Sequence, residues 1–309
     1  MPQNKLRVFV TGATGHTAKY FFQKLVYEKS DLELICALRK ESIHKRLEIN
    51  SYGLNIKYVE CDLGDEKRVL SEHMQNVDVV LHIAGIIYSE KVLEAGKIAE
   101  VPWYVLIHTT GRYSKFKSAS ADYIEIEDGI IYSNSNTTIL RPTLIYGSSG
   151  DRNMWRQIRA LDRNRVFPVI GDGENLFQPV HAKDLGNAYY EVINNKVSTF
   201  GKQYNLSGGD QIKYIEMLRC IARGLDKRIL FLKVPSWIFK IAVSILSRIP
   251  NKIYKCPINY EQVLRMNEDK TFSHENAKRD FGYNPMKFTE GIQIEIEEYL
   301  RLKNIPFKH

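Results

Sequence analysis

The stretch LRVFVTGATGHTAKYFFQKLV, Leu6 to Val26, decides the fold. Leu6–Val10 is a short apolar run, the length of a buried strand. A glycine turn follows, Gly12-x-x-Gly15-x-x-Ala18, and then Phe21, Phe22, Leu25 and Val26 recur along one helical arc. A glycine triplet gains meaning when it leaves a strand and opens a helix. Gly12 permits the tight turn, Gly15 lets main chain approach a pyrophosphate, and Ala18 is small enough for the helix to pack closely on the strand. The N–H groups at the helix start, together with the helix dipole, favour phosphate there. The expected phosphate-binding residues are Gly12, Thr14, Gly15, His16 and Thr17. The alternative is a plain tight turn.

The pattern repeats outward. LELICAL (Leu32–Leu38), IKYVECDL, VDVVLHIAG, WYVLIHTTG and TTILRPTLIYG read as five further strands, most of them separated by helical segments. Repeated strand–helix units predict an α/β fold, a parallel sheet with helices on both faces. Ligand is then expected at the C-terminal ends of the strands. The second strand ends in CALRKES. A cofactor with a free ribose 2′-hydroxyl usually meets Asp or Glu at that point. Here Arg39 and Lys40 stand there instead, and a guanidinium pairs well with a 2′-phosphate. NADP is therefore expected over NAD, with a solvated surface pair as the other reading.

Composition narrows the class. Hydrophobic residues make up 44% and charged residues 26% of 309, the balance of a folded globular chain. Net charge is +8, and its location matters more than its size. Arg219–Lys255 holds nine Lys/Arg against one acid, so the rest of the chain is balanced. That excludes a general nucleic-acid coat and points to a local anionic partner, a nucleotide-diphosphate substrate or a membrane face. The four cysteines form no Cys-x-x-Cys pair, so neither a disulfide nor a metal site is expected. No secretory leader pattern opens the sequence, and a reducing cytoplasm fits best.

Taken together, these segments resemble the short-chain dehydrogenase/reductase superfamily in its extended and atypical branches, the NAD-dependent epimerase/dehydratase group. TGATGHTA matches the phosphate turn. CDLGD is similar to the pair that reads adenine, giving Asp62 and Leu63. LHIAG resembles the segment under the cofactor ribose, giving Ile83, Ala84 and Gly85. LRPTLIYG is similar to the strand and turn that touch nicotinamide, through Pro142 and Thr143. GDGENLFQPVHAKDLGNA and AKRDFGYNP resemble two later segments of the group. The resemblance implies a Rossmann-type doubly wound parallel sheet with a smaller, mostly helical C-terminal substrate lobe. Residues 1–147 with 175–206 would form the dinucleotide-binding domain, and 148–174 with 207–309 the lobe. One short helix near Ser89–Glu100 replaces the long loop and helix of extended members. The atypical branch shares that shortening and includes cofactor-binding proteins with little or no catalysis.

The proton relay is where the chain departs from the group. Active members carry Ser or Thr after the fifth strand, then Tyr and, four residues later, Lys. A phenol with an ordinary pKa near 10 needs that lysine to act at neutral pH. Thr109 occupies the Ser/Thr position. The literal pair Tyr113/Lys117 lies too close to it and reads as a coincidence of register. The group's spacing back from Pro142 lands instead on Ala119 and Tyr123, with Glu127 four residues beyond. The relay therefore reads as rewired or lost. Thr109, Tyr123 and Tyr113 are the candidate catalytic residues. Tyr123 and Glu127 share a helical face, and Tyr123 serves as proton donor if that face meets nicotinamide.

In the lobe, Arg152 and Arg156 near YGSSGDRN are candidates to hold an anionic substrate group, and Gln178 stands near the place where sugar-nucleotide epimerases carry an arginine. VPSWIFKIAVSILSRIP, residues 234–250, is apolar on most faces and too short to span a bilayer. Burial, a homodimer contact and a peripheral membrane contact through 235–250 all remain open. The functions in play are an NAD(P)-dependent oxidoreductase or epimerase-like enzyme on a small or nucleotide-linked hydroxyl or carbonyl substrate, a catalytically silent NADP-binding sensor or structural protein, and a membrane-peripheral reductase of a lipid or quinone-like substrate.

Overall fold

The computed structural model describes residues 5–116, 120–133, 136–151, 153–235, 237–238, 261, 264–265 and 267–303. The sheet-building units run in chain order. Strand β1 (Arg7–Thr11) leads into α1 (His16–Tyr27), then β2 (Glu33–Leu38), α2 (Arg46–Asn50) and β3 (Ile56–Glu60). After α3 (Lys67–Glu72) come β4 (Val79–His82), α4 (Ser89–Ile98), β5 (Tyr104–Ile107), α5 (Ala121–Tyr132) and β6 (Thr137–Pro142).

The chain then leaves the sheet through β7 (Ile145–Tyr146), α6 (Met154–Arg163), β8 (Val166–Ile170), β9 (Leu176–Phe177) and β10 (Val180–His181). It returns through α7 (Ala182–Asn194) and α8 (Lys196–Thr199) to β11 (Gln203–Leu206). Next are β12 (Ile212–Lys213), α9 (Tyr214–Gly224), β13 (Leu230–Val234), α10 (Glu275–Phe281) and α11 (Phe288–Lys303).

Seven strands pair in the order β11-β6-β5-β4-β1-β2-β3, all parallel. The period-2 geometry of a strand explains the near-continuous apolar runs. Val8 and Val10 enter one core and Phe9 the other; Leu34, Cys36 and Leu38 oppose Ile35 and Ala37 in the same way. The first core is roofed by α1 and α7, through Phe21, Phe22, Leu185 and Tyr189, and the second by α3, α4 and α5. Gly186 lets α1 and α7 approach, because a Cβ there would lie 2.5 Å from the Phe21 amide nitrogen. Strand order reverses between β1 and β4, which is where ligands bind in such sheets. The short helix expected after the fourth strand is α4.

A third core, from Met154, Ile158, Phe177, Leu218, Ile221 and Ile296 among others, is built by α6, β9, α9 and α11. The two late segments that carried the resemblance meet in space. Asp184 Oδ2 accepts from the Met286 amide at 3.1 Å, and the Tyr283 hydroxyl donates to Ser207 O at 3.0 Å. Gly282, at φ 72°, closes α10 in the left-handed conformation that favours glycine.

The buried joint between lobe and sheet contains a carboxyl group. Glu295 of α11 accepts from the Gly147 amide at 2.9 Å. Its second oxygen, the Tyr146 hydroxyl and His181 Nε2 have no hydrogen-bond partner among the described residues. Burial first, and Asp151 second, push this carboxyl up to about 9. The segment 235–250, apart from Pro235, Trp237 and Ile238, lies outside the described residues. Among those described, no helix is long and apolar enough to cross a membrane.

Candidate cofactor and substrate site

The turn after β1 is built as its glycines require. Gly12 sits at φ 70°, and a Cβ there would come within 2.7 Å of the Ala84 nitrogen at the end of β4. The Gly15 amide donates to Gly12 O at 2.9 Å, and Gly15 caps the start of α1. Beneath the turn, Thr11 Oγ1 and His82 Nδ1 lie 2.7 Å apart. Burial, with His108 nearby, lowers His82 to about 3, so it is neutral at pH 7.

A cavity of about 250 Å³ opens over the ends of β1, β2, β3 and β4. Of the expected cofactor residues, Gly12, Thr14, Arg39, Asp62, Leu63, Ala84 and Gly85 line it. Arg39 is exposed at its rim. Asp62 is held in place because its Oδ1 accepts from the Gly64 amide at 2.7 Å. Lys91 fixes the same loop by donating to Gly64 O at 2.8 Å. Lys40 is exposed beside this cavity without lining it. Thr17 is buried, and the Ile83 amide donates to Thr11 O at 3.1 Å while its side chain packs against the core. Ser42 and Tyr88 also line it; neither stands in a recognisable pattern.

A cavity of about 480 Å³ lies at the C-terminal ends of β5 and β6, against the lobe. It brings together His16, Thr109, Tyr113 and Thr143 with Asp151 and the lobe segment Arg265, Glu268, Asp269, Lys270 and Phe272. Thr109 caps the turn after β5, its Oγ1 accepting from the Gly111 amide at 3.0 Å. The Tyr113 ring stacks at 5.4 Å on Phe272, with the Arg112 and Arg141 guanidinium groups each 5.8 Å from its centroid. Pro142 is buried, its carbonyl accepting from Thr110 Oγ1 at 3.2 Å.

Other expected residues stand apart. Tyr123 is half-buried on α5 and lines neither cavity. The face it shares with Glu127 turns, at Glu127, into the protein. There Glu127 accepts from His108 Nδ1 at 2.7 Å, from Arg141 Nε at 2.7 Å and from Arg112. Burial alone would raise this carboxyl, but the hydrogen bonds from His108 and Arg141 and their charge hold it at about 2. Ser89 Oγ lies 3.1 Å from His108 Nε2, so Ser89–His108–Glu127 has the connectivity of a nucleophile relay. Ser89 is fully buried and lines neither cavity, which makes the chain of bonds a brace.

Gln178 is buried, and its amide is spent on Gly208 O at 2.9 Å and the Phe272 amide at 3.0 Å. Arg156 is exposed on α6 outside both cavity linings. Lys117, Ala119 and Arg152 lie outside the described residues.

Lys270 was invisible to sequence reasoning. Burial, then repulsion from Arg265, lowers its ammonium to about 8. The stretch NEDK carries no spacing that marks a site.

The small turn, the cation at the end of β2 and the loop at Asp62 fit a nucleotide cofactor, and comparison with known proteins agrees. The profile of the saccharopine dehydrogenase NADP binding domain matches residues 8–100. Short-chain dehydrogenase/reductase family 42E member 1 of Mus musculus is 23% identical over 66% of this chain, which spans only 55% of that relative. The mitochondrial NADH dehydrogenase [ubiquinone] 1 alpha subcomplex subunit 9 of Arabidopsis thaliana is 23% identical over 91% of this chain and 72% of its own length. The structure of UDP-glucuronic acid 4-epimerase from Bacillus cereus superposes with a TM-score of 0.72 at 16% identity, covering 96% of this chain and all of that one. Turn, strand order and matches agree: the chain has the Rossmann-type NAD(P)-binding fold and is similar to proteins of the short-chain dehydrogenase/reductase and epimerase/dehydratase group.

Proposed function

We propose that this protein is an NADP(H)-dependent oxidoreductase acting on a hydroxyl or carbonyl group of a small or nucleotide-linked substrate. The observation that carries the reading is the pair of cavities flanking the phosphate turn along one edge of the sheet, about 250 Å³ on the β2–β3 side and about 480 Å³ on the β5–β6 side. The first suits an adenine nucleotide held by Gly12, Thr14, Asp62 and Leu63, with Arg39 toward a 2′-phosphate. The second has the volume of a small-molecule site with a few convergent polar groups. NADP(H) would supply or accept the hydride. Thr109 and Tyr113 would hold the substrate oxygen, with His16 and Thr143 bounding the cofactor side.

Hydride transfer from NADPH to a panel of carbonyl compounds tests this. Thr109→Ala and Tyr113→Phe are expected to lower turnover at least tenfold while NADP affinity stays within twofold. Tyr123→Phe should leave turnover unchanged. Full activity in both of the first two variants would refute the assignment.

A second reading has its own support. A relative that is 23% identical over 91% of the chain is named as a subunit of an NADH dehydrogenase, and Tyr123 lines neither cavity. On that reading the protein binds NADP without turnover. NADP binding by calorimetry with no turnover across the panel would favour it.

A further inference from the structure

We propose that Lys270, supplied by the lobe, exchanges the proton with the substrate oxygen in the 480 Å³ cavity. The proposal rests on the oxidoreductase reading. It starts from how the lysine is held. Its backbone is stapled to β9: the Lys270 amide donates to Leu176 O at 2.7 Å, and Asp269 Oδ1 accepts from the Leu176 amide at 2.7 Å. A bridge joins Phe177 to Lys270, and Nζ lies 4.8 Å from the Phe177 ring centroid. The amine is thus held over an aromatic face, and Lys270 lines the same cavity as Thr109 and Tyr113.

The surrounding carboxylates are otherwise engaged. Asp151 accepts from the Asn153, Met154 and Trp155 amides at 2.8, 2.6 and 3.0 Å, capping α6. Glu268 accepts from Ser114 Oγ at 2.7 Å and the Lys115 amide at 2.6 Å. Asp269 is held at Leu176. Lys270 forms no ion pair among the described residues; Arg265 acts on it as a like charge and Glu268 as an opposite one, with His16, Tyr113, Asp151 and Asp269 as the other titratable groups of the cavity. Burial, with the like charge of Arg265, outweighs the attraction of Glu268 and of the Phe177 face, so the ammonium gives up its proton readily. A lysine that loses its proton near pH 8 is poised for acid–base work near neutrality.

The step balances. In reduction, hydride from NADPH forms the new C–H bond and the C=O π pair moves to oxygen. The oxygen takes a proton from the ammonium as the N–H bond breaks, and the amine regains one from solvent. NADPH is oxidised and the carbonyl reduced to an alcohol; the reverse direction runs the same transfers backwards.

Two measurements test it on the full chain. Competitive acetylation with acetic anhydride from pH 6 to 11, read by mass spectrometry, should show Lys270 half-reactive near pH 8. An ordinary lysine titration at this position overturns the proposal. Turnover of the carbonyl panel with NADPH is then compared in wild type, Lys270→Met and Lys270→Arg. Both variants should lose kcat at least tenfold with KM changed less than threefold, and Lys270→Met should lose the alkaline decline in reduction rate. Full kcat in Lys270→Met, or rescue by arginine, overturns the proton-exchange role and leaves the oxidoreductase reading intact. No turnover by wild type on any panel member overturns that reading and this proposal with it.

Discussion

Arg39 is one exposed guanidinium at the rim of the nucleotide cavity, and at that scale its contribution is to cofactor choice. A charge-assisted contact to a 2′-phosphate is worth about 1.5 kcal/mol. Arg39→Ala is therefore expected to weaken NADP binding roughly tenfold and to leave NAD binding unchanged, as measured by titration calorimetry at fixed salt. An equal loss for both cofactors would return Arg39 to the solvated surface. The phosphate turn was legible in the sequence because the conformational demand falls on glycine itself: φ 70° and a 2.7 Å approach to Ala84 admit only hydrogen at position 12. Lys270 was illegible for the opposite reason. Its character comes from burial, from Arg265 and from the engagement of three carboxylates elsewhere, none of which a local spacing records. Tyr123 shows the limit between these cases. Its helix and its position relative to Glu127 were readable, but the direction of that face was set by a buried ion network.

That network belongs to the scale of elements. Glu127 ties α5 to the end of β5 through His108, to the turn beyond it through Arg112 and to β6 through Arg141. Arg141 also reaches Gln203 of β11 at 2.5 Å. The brace thus fixes the loop carrying Thr109 and Tyr113. Removing one partner of a buried ion pair leaves the others uncompensated, at about 3 kcal/mol. Glu127→Gln is expected to lose about that much in denaturant unfolding at pH 7. Because the folded carboxyl stays ionised down to about 2, its contribution is complete above the ordinary value of 4.5 and disappears as pH falls toward 2. The variant should therefore lie closest to wild type in acid. Unfolding at the same denaturant concentration as wild type at pH 7 would deny Glu127 this role.

At the scale of the whole molecule, the joint between lobe and sheet holds a proton. Glu295 remains protonated to about 9 in the fold, whereas the unfolded chain releases the proton near 4.5. Between those values the folded state binds more protons, so its stability falls as pH rises from 4.5 toward 9. Glu295→Gln keeps the acceptor for the Gly147 amide and cannot ionise. It is expected to flatten that slope and to melt above wild type at pH 8 and beyond. Each kcal/mol gained corresponds to roughly 2–4 °C in a domain of this size. A slope identical to wild type in thermal melts from pH 5 to 9 would place the pH sensitivity elsewhere.

The placement of β11 beside β6 also has a consequence for synthesis. β6 ends at Pro142 and its outer neighbour begins at Gln203, so 60 residues, part of the lobe and then α7 and α8, must emerge between the two. At ribosomal speeds that interval lasts roughly 3–12 s. Throughout it the nascent sheet presents Thr137–Pro142 as an open edge, a ready template for a foreign strand. The protein is therefore most exposed to mispairing while still attached to the ribosome, and the arrival of four residues, Gln203–Leu206, ends that exposure.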